Sequence, residues 1–256
     1  MPKDDAPTDD GASEQLRREQ RDERWRKLAA RSRLKKRLLL FVGIPVALWA
    51  VWTQVLYPTY TARYELTIEV ETPDGIKTGS SVIEARYGWE PTLFGLISGV
   101  RNSVRGEAVF VDLGPGKNIV VTFRGQVGEW NAQHLPSLVY DIPRYHRIKT
   151  RTGIWEAHNM GLREVPVENL PLTVTFPDTT NPFSAVKLYP SDISAFFGNG
   201  YNVSRATIQM TNRKLTHRIE AELPWLKGLS GGYLSGKRIN DGSLLGLSVG
   251  DFKAGT

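Results

Sequence analysis

Twenty consecutive residues without a charge, Leu38 to Tyr57, constrain this chain more than any other feature. As a helix rising about 1.5 Å per residue they span roughly 30 Å, the hydrocarbon thickness of a bilayer. Eleven of them are Leu, Ile, Val or Phe. At about −0.3 to −0.6 kcal/mol each, these side chains favour insertion by roughly −3 to −7 kcal/mol. Pro45, Thr53 and Gln54 oppose it. Pro45 frees a backbone carbonyl and is expected to kink the helix, which spanning helices tolerate. Trp49, Trp52, Tyr57 and Tyr60 collect at the far end as an aromatic belt. The stretch reads as a single transmembrane helix.

Its flanks set an orientation. Arg31, Arg33, Lys35, Lys36 and Arg37 crowd one side, and the nearest charge on the other is Arg63. The excess of basic residues is retained in the cytoplasm, so residues 58–256 are expected across the membrane. A cleaved signal peptide is not expected. The preceding polar region is long, and Trp49 stands where a small residue would have to follow Ala47. With no Cys, the chain has no lipidation cysteine and no disulfide.

Residues 1–12 carry Pro2, Pro7, Gly11 and four Asp, a composition that buries nothing and predicts disorder. Ser13 is placed to cap a basic helix over residues 13–37. Within it, Glu14 with Arg18, Asp22 with Arg26 and Glu23 with Lys27 are spaced four apart. Residues 1–37 hold twelve Lys or Arg against eight Asp or Glu. They therefore account for most of the net charge of +6, and the high isoelectric point reports this arm. It is no sign of nucleic acid binding.

Past the span the pattern changes to strands. Tyr64, Leu66, Ile68 and Val70 alternate with Glu65, Thr67, Glu69 and Glu71, which predicts a half-buried strand. Thr72–Gly75 reads as a turn and Ser80–Tyr87 as the returning strand, with Ile83, Ala85 and Tyr87 inward. A short helix is expected over Glu90–Val100. Glu107–Leu113 and Asn118–Phe123 read as strands joined by the turn Gly114–Lys117. The four strands are expected to form one antiparallel meander. Residues 124–168 read as packed loops with a short helix near Leu135–Tyr140, and Leu170–Phe176 as a strand. Pro190–Asp192 caps a short helix over Ile193–Phe197. Arg205–Thr211 and Thr216–Leu223 read as a final hairpin, followed by a loosely docked Gly-rich tail from about residue 227. The fold class is a mainly β, antiparallel domain with a few short helices, attached to one N-terminal transmembrane helix.

Chemical signatures are sparse. Gly228-Leu-Ser230-Gly-Gly232 has the spacing of a serine-hydrolase elbow. That elbow needs a strand before it, a helix after it and a later His. Pro224 lies just upstream and no His follows His217. His134, His146, His158 and His217 form no ligand spacing, and Glu156 with His158 would share a strand face without a third ligand. No phosphate loop or dinucleotide fingerprint is present, and no cofactor is expected. The most distinctive polar stretch is Arg144-Tyr-His-Arg147-Ile-Lys149-Thr-Arg151, four cations within eight residues. Arg144, Arg147, Lys149 and Arg151 are candidate contacts for an anionic partner. The simpler reading, and the one preferred, is a loop or edge strand kept soluble by its charge.

The basic arm and span, Tyr64–Gly75 with Gly79-Ser-Ser-Val-Ile-Glu84, and the later Leu223-Pro-Trp-Leu226 together resemble uncharacterised single-pass inner-membrane proteins of Gram-negative bacteria. The resemblance implies an inner-membrane, periplasm-facing location and carries no activity. These features point to a non-enzymatic, membrane-anchored envelope protein whose β-rich domain binds a protein partner or envelope component, or serves as a complex subunit. The alternative is an envelope hydrolase or transferase acting on glycan or lipid through carboxylates remote in sequence.

Overall fold

A computed structural model describes residues 39–56, 59–90, 99–125, 132–140, 151–229, 231–234 and 246–255. The chain divides into two compact units, Met1–Pro58 and Thr59–Thr256. In the first, a π-helical turn over Leu39–Gly43 leads into helix α1, Ile44–Leu56. Pro45, which has no N–H to donate, falls where the π-helical turn passes into α1. The 13 residues of α1 rise about 20 Å. Among the described residues, no helix is long and apolar enough to cross a membrane. Leu40, Phe41, Leu48, Trp49 and Val51 are all exposed.

The second unit is built on two antiparallel sheets. Strands β1 (Tyr60–Thr72), β2 (Gly75–Glu90) and β3 (Gly99–Glu107) run consecutively in the larger sheet, and β4 (Val109–Gly114) and β5 (Lys117–Val121) open the smaller. Helices α2 (Leu135–Val139) and α3 (Arg151–Met160) follow, then β6 (Arg163–Glu164), β7 (Thr173–Thr175), β8 (Val186–Leu188), α4 (Ile193–Phe197), β9 (Asn202–Met210), α5 (Ile219–Glu222) and β10 (Lys253–Ala254). The larger sheet has the order β10-β3-β2-β1-β9-β6 and the smaller β4-β5-β7-β8.

The mainly antiparallel β character therefore holds, and β1 follows its alternation. Tyr64, Leu66, Ile68 and Val70 are buried while the intervening Glu and Thr side chains reach solvent. On β2, Ile83, Ala85 and Tyr87 point inward as expected. These residues meet Val109, Val111, Ile119 and Val121 of the smaller sheet in one core. The opposite face of the smaller sheet, with Val120, Val174 and Phe176, is covered by Ile219, Leu223, Leu226, Leu247, Val249 and Phe252.

Four expectations need correction. The four early strands do not form one meander, because the chain leaves the larger sheet between β3 and β4. Gly106 turns it there at φ 121°. Glu90 and Gly99–Val100 belong to β2 and β3 and pair with each other, while residues 91–98 of the expected helix lie outside the described residues. Residues 151–160 form a helix where packed loops were expected. Thr216–Leu223 is not a returning strand. Its residues 219–222 form one helical turn, because the buried Glu107 carboxylate accepts the N–H groups of Arg218 and Ile219 at 2.5 and 3.0 Å and so satisfies orphan donors at the start of α5.

Two tyrosines tie residues 132–133 onto the larger sheet. The Tyr64 hydroxyl donates to the Ala132 carbonyl at 2.6 Å, and Tyr87 to the Gln133 carbonyl. Burial pushes both hydroxyls well above the usual phenol range, so both act as donors at any ordinary pH. Tyr64→Phe leaves the Ala132 carbonyl without its donor. The expected loss is about 1–3 kcal/mol, read from the midpoint of a urea transition. A change below about 0.3 kcal/mol would show that Ala132 is held by other means.

Candidate functional site

The residues singled out for an anionic partner are only partly placed. Arg144, Arg147 and Lys149 lie outside the described residues, and Arg151 is the first residue of α3. Arg33, Lys35, Lys36, Arg37 and Tyr57 also lie outside them. Trp49 and Trp52 fall on α1. Ser230 is not described, but the preceding residues Pro224–Leu226 form a 3-10 turn, where a nucleophile elbow needs a strand. Glu156 and His158 lie on helix α3, so they sit about 200° apart around its axis and share no face. No group of three or more metal-binding side chains converges among the described residues.

A different set of charges does converge. Strand register aligns Arg63 of β1, Glu84 of β2 and Arg105 of β3 in one row, and Arg86 stands two residues along β2 on the same face. Glu84 is only 2% exposed, whereas Arg63, Arg86 and Arg105 are 41%, 41% and 38% exposed. Nε of Arg63 donates to one carboxylate oxygen at 2.7 Å and Nε of Arg86 to the other at 2.9 Å. Nη1 of Arg105 lies 3.6 Å from the latter oxygen. Arg105 also donates to the Gly255 carbonyl at 3.1 and 2.8 Å. Burial alone would raise the Glu84 carboxyl, but the hydrogen bonds and charges of Arg63 and Arg86 outweigh it and hold the group below its ordinary range.

One anion surrounded by three cations leaves two positive charges in surplus on a solvent-facing sheet. Beside them, Arg213 clamps Glu65 with both bonds at 2.8 Å. No family model, curated protein or solved structure matches this chain. Its chemistry is therefore read from its own residues. A guanidinium cluster of this kind suits carboxylate or phosphate groups, which it can meet with paired N–H donors.

The acidic groove elsewhere is less suited to catalysis. A cavity of about 640 Å³ lies between the β4–β5 turn, residues 177–179 and α5, lined by Asp112, Lys117, Asp178 and Glu222. Asp112 accepts the N–H of Gly114 at 2.9 Å, within its own turn. Asp178 accepts the hydroxyl and N–H of Thr180 at 2.6 and 2.9 Å, which lowers its pKa. Two of the three acids thus hold turns. Asp178 is moved downward, opposite to the shift a general acid needs.

The arginine cage carries a pH signature. A carboxyl lowered in the folded state contributes stability that is present above its unfolded pKa and lost as pH falls through the folded one. The native protein is therefore expected to exceed Glu84→Gln in stability at pH 7, with the gap closing below about pH 4.5. Urea midpoints from pH 7 to pH 3 check this. A gap that stays constant over the range would remove the Glu84 charge as its source.

Proposed function

We propose that this chain is a single-pass membrane protein of the bacterial inner membrane, with its β-rich unit in the periplasm. There it binds a protein partner or envelope component, or acts as a complex subunit, without catalysis. The observation that carries the reading is the uncharged stretch Leu38–Tyr57, flanked on one side by Arg33, Lys35, Lys36 and Arg37. Along it Leu39–Val42 and Val46–Trp49 expose their side chains, a contiguous apolar surface that water disfavours and lipid accepts. The downward pKa of Asp178 and the turn-holding role of Asp112 favour a binding surface over a hydrolase or transferase. Contact surfaces in this reading are the arginine cage and the cationic stretch Arg144, Arg147, Lys149 and Arg151.

A reporter fused after Thr256 tests the topology, and activity of a cytoplasmic reporter there would overturn it. Cross-linking of the tagged full-length chain in intact cells tests the binding role. A stoichiometric partner is the expected result. Recovery of the chain alone with several cross-linkers would overturn the binding reading.

A further inference from the structure

The larger sheet is electrically polarised along its strands. Its β1–β2 pair runs without interruption from Tyr60 opposite Tyr87 to Thr72 opposite Gly75. Near the first end stand Arg63, Arg86, Arg105 and Arg213, with Glu65 and Glu84 as their only ion-pair partners among the described residues. Toward the other end stand Glu69, Glu71 and Asp74 on β1 and its turn, with Lys77 on β2 and the neutral Arg205–Glu164 pair beside Glu69. The basic end is thus in surplus by two positive charges and the acidic end by two negative ones. Six steps along β1 lead from Arg63 to Glu69, about 20 Å. That distance exceeds two Debye lengths at physiological salt, so attraction between the two ends is largely screened.

We infer that the Arg63–Arg86–Arg105 end of the larger sheet rests against anionic lipid headgroups, with the acidic turn at Asp74 held away from the membrane. The inference rests on the membrane-anchor reading. Two things carry it: the surplus of positive charge and the exposure of these arginines. The arginines meet phosphate oxygens with paired N–H donors, and the same anionic headgroups repel Glu69, Glu71 and Asp74.

The absence of Cys allows one fluorescent label per molecule. Ser103→Cys marks the basic end, opposite Arg86, and Asp74→Cys marks the turn. Both positions are exposed. Each labelled full-length chain is reconstituted into phosphatidylcholine vesicles, with or without phosphatidylglycerol as about one lipid in three, and quenched by nitroxide-headgroup lipid.

Flotation comes first. A chain that does not float with vesicles defeats the anchor reading and this inference with it. For a chain that floats, quenching at position 103 is expected to exceed that at 74 by at least about twofold in the anionic vesicles. That excess is expected to shrink between about 0.1 and about 1 M salt, as the Debye length falls from about 10 to about 3 Å. Equal quenching at both positions, or an excess indifferent to anionic lipid, would overturn the inference and leave the anchor standing. An excess found in cell membranes and in neither vesicle would also overturn it, assigning the surface to a protein. The triple variant Arg63→Gln, Arg86→Gln, Glu84→Gln removes two cations together with the anion they hold. It is expected to lose at least about half of the excess.

Discussion

Phe252→Ala is expected to destabilise the β-rich unit by about 3–5 kcal/mol. Phe252 is fully buried. Its ring lies 5.8 Å from that of Phe176 and 5.4 Å from that of Trp225, in the tilted and edge-on arrangements that aromatic pairs prefer. Around it Leu223, Leu226 and Leu247 are also fully buried, so truncation opens a cavity that the backbone cannot readily close. The backbone is tied on both sides. Ala108 N–H donates to the Phe252 carbonyl, and Phe123 N–H to that of Asp251, both at 2.8 Å. Asp251 and Ser248 close a capping box just before them. The expected loss is a third or more of the total stability of many domains. It should appear as a lower denaturant midpoint with an unchanged slope. Phe183→Ala is the control: Phe183 is 68% exposed, and its removal should stay within about 0.5 kcal/mol. A loss below about 1 kcal/mol for Phe252→Ala would mean that residues 246–255 are not integral to the core.

That result bears directly on what composition can reveal. The Gly-rich stretch from residue 227 suggested a loosely docked tail, because glycine carries no side chain to pack. Yet the segment ends in Leu247, Val249 and Phe252, which complete the second core cluster, and in β10, which pairs with β3. The residues they fill against, Phe176 and Leu223, lie more than twenty positions away, and no local pattern announces them. Where the driving force is local, the sequence was enough. The period-two alternation of Tyr64–Glu71, the turn at Gly114–Lys117 and the helix Ile193–Phe197 after Pro190 all recur in the structure. Thr216–Leu223 shows the opposite case. Its alternating polar and apolar residues read as a strand, but capping by Glu107, more than a hundred positions earlier, winds residues 219–222 into a helical turn.

The arginine cage was hidden for the same reason. Each of Arg63, Glu84, Arg86 and Arg105 occupies an unremarkable polar position in its own segment. Only the register β1–β2–β3 brings three cations to one carboxylate. β3 itself carries little apolar signal in Gly99–Glu107 and owes its strand to pairing with β2. Alternation tells which face a residue takes, and register decides what it meets there.

Register also explains the second large effect. Gly79 sits on the inner face of β2 opposite Ile68, at the corner where the chain passes from the larger sheet to the smaller. Ser81, next on that face, donates to the Glu107 carbonyl at 2.7 Å, so β2 holds the end of β3 just before the chain enters the smaller sheet. A Cβ on Gly79 would lie 2.2 Å from the carbonyl oxygen of Phe110, 2.9 Å from its carbon and 2.9 Å from Cγ2 of Val111. Real Cβ atoms keep at least 3.0 Å, so β2 and β4 must part by most of an ångström. The obstacle is backbone, which has no rotamer to change. Overpacking of this kind typically costs about 1–3 kcal/mol, and here parting the sheets also loosens the core between them. Gly79→Ala is therefore expected to cost about 3 kcal/mol or more. Gly231→Ala is the matched control, since nothing lies within 4 Å of its added methyl, and its midpoint should move little. A Gly79→Ala protein as stable as the native one would show that the sheets can separate at this corner, and that their close approach is not what positions β4 under Ile68 and Val70.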